Sequence, residues 1–344
     1  MIKKPVTITM VAKALHIAPS TVSKVINQSG SVSQDTRTRV LSYIKAVGYA
    51  PATNARMLRS KRAYSIGIVF QEELKTGLEH PFFSSILQHF KDVVEEQGYE
   101  ISFIVKKIGQ HELSYYQWCK NKRIDGVYIV VGDYTDPGIR ELIDSEIPCV
   151  STDMIVTGLH TIKSDDDLGV QIALEYVKNT LHKTRVAHIT GPLTSVAFLQ
   201  RLRSYDYYME KLGLIREEHY AFVGKSFDYI SGYQSTIEML NRVLHRPEVI
   251  FAASDELALG ILKALKERHI HVPDEIQIIG FDDVYFAKHT TPPLTTIAQD
   301  RVKIGETAAR LLIDLIENPT RKREESITLL PVSLVVREST KILK

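Results

Sequence analysis

The sequence predicts a small all-α module joined to a larger α/β body of two lobes with parallel sheets, on three observations. From Thr7 to Gly48 the apolar residues recur at helical spacing in three short bursts. After Arg62 the pattern changes abruptly to short β-branched runs alternating with longer amphipathic stretches, through two successive blocks. The charge divides at the same place: residues 1–62 hold eleven Lys and Arg against one acid, Asp35, so they carry +10 of a total of +2 and leave −8 on the other 282. One short segment is built to meet a polyanion while the bulk is built to stay soluble. The expected polyanion is double-stranded DNA.

In chain order, Thr7 can cap a first helix with Val11, Ala14 and Leu15 on one face. His16-Ile17-Ala18 is the tight turn of a helix-turn-helix. Pro19 opens the second helix, with Val22, Val25 and Ile26 inward. Ser33, with Asp35 and Thr36 in the first turn, opens a third whose stripe is Val40, Leu41, Ile44 and Val47 and whose stop is Gly48. Residues 1–50 are therefore expected to form a DNA-binding headpiece. Pro19 and Ser20 stand at the N-terminal end of the second helix, where side chains reach base edges in the major groove, and Lys24 follows one turn on. Thr21, Ser23, Asn27, Gln28 and Ser31 carry short donors suited to phosphates, and Thr7 joins them at the start of the first helix. Residues 51–62 are helix-permissive but too polar to pack alone, so they are expected to order only with DNA and a second copy.

In the body, strands are predicted at 65–70, 101–105, 124–131 and 147–151, with helices at 82–97, 110–120 and 137–144 between them. A second set has strands at 185–190, 220–223, 249–252 and 276–280, with helices at 168–181, 199–212, 229–244 and 256–268. Ligands in such sheets bind outside the carboxyl ends of strands, so a cleft between two lobes is the place for chemistry. The strand ends name Asp153, the stretch from Gly191 to Arg201, Phe227, Ser254 with Asp255, and Asp282 with Asp283. The three acids Asp165-Asp166-Asp167 ahead of Leu168-Gly169 suit a helix N-terminus and lack a calcium-loop pattern, so no metal is expected.

An enzyme is the weakest reading. The sequence holds no phosphate-cradling Gly loop, no Gly-x-Ser-x-Gly elbow and no metal-spaced His pair, and no cofactor is expected. Cys119 and Cys149 lack metal spacing and are expected to be buried, inert thiols of a reducing cytoplasm. No apolar run approaches the ~18 residues that span a bilayer, and no signal-peptide core follows Met1, so a cytoplasmic protein without a membrane partner is expected.

The run from Thr7 to Gln28, with Val32-Ser33, Thr36-Arg37, Val40 and Gly48-Tyr49-Ala50-Pro51, resembles the headpiece of the lactose and galactose repressor family. Ala18, where the family usually has a capping Ser, and Met10, where it usually has an acid, depart from that pattern. The body resembles the same family through residues 253–260, 272–283 and 293–297, and the implied fold is that of periplasmic sugar-binding proteins. Chain crossings near Thr161, Thr291 and Arg321 are implied, giving a first lobe of about 63–160 and 292–320 and a second of about 161–291 and 321–340.

By the same resemblance, residues 51–62 form a hinge helix that pairs in the minor groove. There Leu58 wedges between base pairs, Ala55 allows close approach and Arg56 meets the backbone. Arg201 and Asp282 match the pair that clamps the ligand, Phe227 the aromatic platform, and Phe82 and Phe83 the first-lobe residues that close over it. Arg201 is followed by Leu202, Arg203, Ser204 and Tyr205, a departure from the family's Arg-x-x-Gly-aromatic. Asp153, Ser195 and Ser254 complete the expected ligand set. Purine-binding members place a basic residue and a hydroxyl at the positions of Ser195 and Ala197, which argues for a sugar-like effector. Gln71 to His80 is longer than the family's usual segment and is placed to reach over the cleft. The expectation is a homodimeric repressor of a near-palindromic operator, controlled by a small ligand. The alternatives are control by a phosphocarrier corepressor protein, or a sugar-binding protein without a role in transcription.

Overall fold

A computed structural model describes residues 6–26, 29–49, 62–70, 77–132, 135–319 and 326–342. The chain divides into two compact units, Met1–Ala63 and Tyr64–Lys344. In the first unit α1 (Ile8–Ala14) is capped by Thr7, whose hydroxyl accepts from the Met10 N–H, and α3 (Gln34–Val47) by Ser33, whose hydroxyl accepts from the Thr36 N–H. Between them α2 (Pro19–Ile26) begins directly after a turn in which His16 takes a left-handed φ of 55°. Val11, Ala12, Val22, Val25 and Val40 form the core. Two inward positions differ from the sequence reading: Ala14 and Leu41 are exposed, and Ala12 and Tyr43 face the core in their place. Val40, Tyr43, Ile44 and Val47 make the i, i+3, i+4, i+7 stripe, which leaves Leu41 about 100° away on the helix surface.

The second unit contains two six-stranded sheets. The first joins β1 (Ser65–Phe70), β2 (Glu100–Phe103), β5 (Gly126–Val131), β6 (Cys149–Thr152), β7 (His160–Ser164) and β13 (Ser326–Leu330) in the order β13-β7-β6-β5-β1-β2, all parallel. The second joins β8 (Val186–Thr190), β9 (Ala221–Val223), β10 (Val249–Ala252), β11 (Gln277–Asp282), β12 (Thr295–Gln299) and β14 (Val332–Val335) in the order β14-β12-β11-β10-β8-β9. Only β14 runs antiparallel there. A two-residue hairpin, β3 (Lys107–Ile108) and β4 (His111–Glu112), stands apart.

Helices cover both faces of each sheet, as parallel sheets require. In the first lobe these are α4 (Pro81–Glu96), α5 (Tyr115–Lys122), α6 (Pro137–Asp144) and α11 (Arg301–Glu317); in the second, α7 (Asp166–Asn179), α8 (Val196–Lys211), α9 (Tyr229–Arg242) and α10 (Asp255–Glu267). α9 and α10 approach so closely that a Cβ on Gly260 would lie 2.1 Å from the Tyr229 carbonyl oxygen.

The lobe boundaries require correction. β7 pairs with β6, so it extends the first sheet and the first crossing follows Ser164 rather than Thr161. β12 pairs with β11, which moves the second crossing from Thr291 to Asp300. β13 still belongs to the first sheet and β14 to the second, so the third crossing lies at Pro331 and not at Arg321. The Asp165 N–H donates to the Leu330 carbonyl at 2.9 Å, tying the first crossing to the third.

Candidate functional site

In the headpiece, Pro19, Ser20 and Lys24 are all exposed on α2, an arrangement that leaves the N-terminal end of this helix open to a groove. Thr21 and Ser23 are half-buried, Ser31 is exposed, and the Thr7 hydroxyl is engaged in its cap. Without Ala18 as a side-chain cap, the Thr21 N–H donates to the Ala18 carbonyl at 2.9 Å, which closes the first turn. Asn27, Gln28, Ala55, Arg56 and Leu58 lie outside the described residues.

In the body, the carboxyl ends of β10 and β11 converge on Arg201, which is 4% exposed in the second turn of α8. Its Nε donates to Asp166 Oδ1 at 2.8 Å and its Nη1 to the Ala253 carbonyl at 2.5 Å. The guanidinium carbon lies 3.7 Å from the centroid of the Phe281 ring, a cation–π contact in a dry setting. Asp282 Oδ1 is 3.9 Å from Nη1. The clamp pair therefore meets, but Arg201 is also held by Asp166, which the sequence reading left as part of a helix N-terminus. Asp165 does serve as the cap of α7, accepting from the Leu168 N–H, while Asp166 points inward. Lys163 Nζ lies 2.8 Å from Asp166 Oδ2 as an ion pair, off the direction of a hydrogen bond.

Asp282 sits at φ 122° and Asp283 at φ 54°, a bend that non-glycine residues rarely adopt. Neighbours fix it. Arg301 donates to the Asp282 carbonyl and Gln299 to its Oδ1, both at 2.6 Å. Buried Asp255 accepts from Thr296 Oγ1 at 2.6 Å and from the Val284 N–H at 2.9 Å. Burial pushes Asp282 up to about 7, against the pull of Arg201. Burial, then the neighbouring Asp282 charge, also raises Asp255 well above the ordinary carboxylate range. Burial and then the charge of Asp166 push half-buried Asp153, at φ 61° in the first lobe, up to about 6, while Lys163 and Arg201 act to lower it.

The aromatic wall has a member the sequence reading missed. His80, buried at the N-terminal end of α4, lies 4.8 Å from Phe83 in its own lobe and 5.5 Å from Phe227 in the other, ring centroid to ring centroid. Among the described residues its Nδ1 has no hydrogen-bond partner, and burial lowers its pKa to about 4. Of the Gln71 to His80 stretch, His80 thus meets a ring of the other lobe, while residues 71–76 lie outside the described residues. Phe82 belongs to the first-lobe core. The Ser195 and Ser254 hydroxyls act as helix caps, accepting from the Phe198 and Leu257 N–H groups.

Residues 7–52 match the model of bacterial regulatory proteins of the lacI family, and residues 180–340 match that of a periplasmic binding protein-like domain. The HTH-type transcriptional repressor PurR of Mannheimia succiniciproducens is 32% identical over 348 residues, covering 97% of this chain and 98% of that protein. The chain belongs to the lacI family. The ribose operon repressor of Escherichia coli K12 is 31% identical, over 92% of this chain and 95% of that one. Among solved structures, the lac repressor dimer bound to operator and an anti-inducer superposes with a TM-score of 0.77 at 26% identity, covering 98% and 99% of the two chains. A CelR–cellobiose complex gives 0.72 at 28%, covering 97% and 99%. As a lacI-family member the protein is a DNA-binding transcriptional repressor that responds to a small-molecule effector, and it is not an enzyme. Among the described residues no helix is long and apolar enough to cross a membrane.

Proposed function

We propose that this repressor binds a near-palindromic operator as a homodimer and is controlled by a neutral, polyhydroxylated effector, a sugar, held between its two lobes. The observation that carries the reading is the guanidinium of Arg201, buried and flanked by the carboxylates of Asp166 and Asp282 with Asp153 in electrostatic range. Carboxylates accept hydrogen bonds from hydroxyl groups, while the guanidinium donates to hydroxyl or ring oxygens. Phe227, Phe83 and His80 supply an apolar face for a ring. An acidic or phosphorylated sugar would meet these carboxylates as like charges; Lys163 and Arg301, the cations beside the clamp, are engaged by Asp166 and by the Asp282 carbonyl, and Arg203 and Lys225 are both exposed.

A purine is the second reading, since the PurR relative is 32% identical. Against it, Ser195 is committed to its cap and Ala197 offers no polar group. On the DNA side, Pro19, Ser20 and Lys24 read bases, Thr21, Ser23 and Ser31 face phosphates, and the two-fold symmetry of a dimer maps onto a two-fold operator. Calorimetric titration of the full chain with D-ribose, cellobiose, a sugar acid, a sugar phosphate, hypoxanthine and guanine tests the effector. Binding of a neutral sugar with a change in operator affinity is expected. Binding of a purine alone overturns the sugar, and no response to any of them redirects attention to a phosphocarrier protein.

A further inference from the structure

The two clamp residues of the effector site are each tied to a place where the chain passes between lobes. At the first crossing, Lys163 on β7 of the first lobe ends 2.8 Å from Asp166 Oδ2, and the other oxygen of Asp166 holds Arg201 Nε at 2.8 Å. Lys163, Asp166 and Arg201 are all at most 5% exposed. At the second crossing, Arg301 in the first turn of the first-lobe helix α11 donates to the Asp282 carbonyl at 2.6 Å, and Gln299, two residues earlier, donates to Asp282 Oδ1 at 2.6 Å. Arg201 and Asp282 themselves belong to the second lobe.

Lobe rotation is a change in backbone torsions at the crossings. Lys163 and Asp166 bracket Ser164 and Asp165, so their separation depends on the torsions that a rotation must alter. A buried ion pair is intolerant of lengthening, because neither partner can recover hydration. A ligand that draws Arg201 toward itself therefore pulls on the first crossing, one that draws Asp282 pulls on the second, and a lobe rotation reorients both clamp residues.

We infer that Lys163 and Arg301 are positioning residues that couple effector occupancy to lobe angle, Lys163 acting through Asp166 on Arg201 and Arg301 acting directly on Asp282. The inference deepens the proposed effector reading but is separable from it, because the lobe angle can be read without any ligand. The experiment uses the full chain with spin labels at Glu95→Cys on α4 and Glu238→Cys on α9, both exposed positions on opposite lobes. Dipolar spectroscopy then gives the distance distribution between lobes. Lys163→Gln and Arg301→Gln should each shift or broaden the ligand-free distribution.

With D-ribose as the probe, the ratio of operator Kd with and without saturating sugar should drop from the 5- to 150-fold typical of allosteric coupling to below about 2-fold. Measured at saturation, that ratio does not register a weaker sugar affinity, which is all a merely structural role would produce. Distributions unchanged in both variants overturn the inference. If D-ribose has no effect on the unsubstituted protein, the sugar reading fails in its present form and the ligand-free distributions still decide the coupling. Should a Gln variant fail to fold, Lys163→Arg and Arg301→Lys keep the charge while altering reach, and the same shift in the distribution is expected of them.

Discussion

The headpiece and the effector-binding unit distribute their chemistry in opposite ways. In the headpiece the functional side chains are exposed and nearly contiguous: Pro19, Ser20 and Lys24 fall within six residues of one helix. In the effector unit they are mostly buried and assembled from distant passages, with Lys163 and Asp166 at one crossing, Arg201 on α8, and Asp282, Gln299 and half-buried Arg301 around another. An exposed site can lose a side chain and lose only its ligand. A buried site that loses one leaves charges unpaired in a dry interior, so binding and folding fail together.

The largest effect follows directly. Arg201→Ala should abolish the effector response and also lower the stability of the effector unit by about 3–5 kcal/mol, the usual cost of breaking a buried pair. It strips Asp166 of a partner and vacates the Phe281 ring. Urea unfolding of the full chain, following the body transition, reads the cost. A stability within 1 kcal/mol of the parent, by an order-of-magnitude reckoning, would mean that Asp166 finds another partner and that the comparison is overdrawn. Lys24→Ala is its counterpart in the headpiece. It should cost about 1–3 kcal/mol at the preferred operator, redistribute half-site preference, and leave folding unaltered. Binding assays across operator variants check it, and a uniform loss over all sequences would make Lys24 a phosphate contact.

The same contrast sets what was legible in the sequence. Thr7, Ser33 and Gly48 act within one or two turns of the chain, so local pattern placed all three headpiece helices. In the body, β1, β10 and α6 agree residue for residue with the predicted 65–70, 249–252 and 137–144, because apolar runs with clear ends mark them. β7 escaped, since His160-Thr-Ile-Lys-Ser164 is wholly buried yet mostly polar, and its loss displaced the first crossing. β13 and β14 are short and flank Pro331, and their pairing partners lie more than thirty residues away. In the site, Arg201 and Asp282 were found by resemblance. Asp166 and Lys163 were hidden because an acid in a helix's first turn already has a sufficient local explanation.

Buried titratable groups make the stability of the effector unit depend on pH. His80 and His188 are buried with pKa values lowered to about 4, so they bind fewer protons folded than unfolded. Their contribution is present above about 6.5 and is lost as pH falls toward 4. Asp282, raised to about 7, and Asp153, raised to about 6, act in the opposite sense: folding binds their protons, and that contribution is lost as pH rises through those values. The opposing groups offset one another between about 4 and 6, which leaves Asp282, together with its raised neighbour Asp255, to govern the neutral range. Stability of the effector unit should therefore fall as pH rises from about 6 to 8, and Asp282→Asn should flatten that fall. A slope in this window that survives the substitution assigns it to another group.

The smallest effect tests whether local chemistry behaves alike in both regions. Ser33 caps α3 on the exposed headpiece surface, accepting from the Thr36 N–H at 3.3 Å, and buried Ser254 caps α10, accepting from the Leu257 N–H at 3.2 Å. A cap satisfies one backbone donor wherever it occurs, so Ser33→Ala and Ser254→Ala should each cost about 1 kcal/mol. Ser254 should be somewhat the dearer, because its orphaned N–H has poorer access to water. If the Ser254 hydroxyl does nothing but cap, effector affinity at constant temperature changes less than about 2-fold, far below the tenfold that 1.4 kcal/mol of lost contact would produce. A larger loss of affinity, with the stability cost still near 1 kcal/mol, would show that the hydroxyl also meets the ligand. In that case the position that the strand-end rule selected from sequence serves both tasks, and the separation between local and assembled chemistry breaks at the first residue of α10's cap.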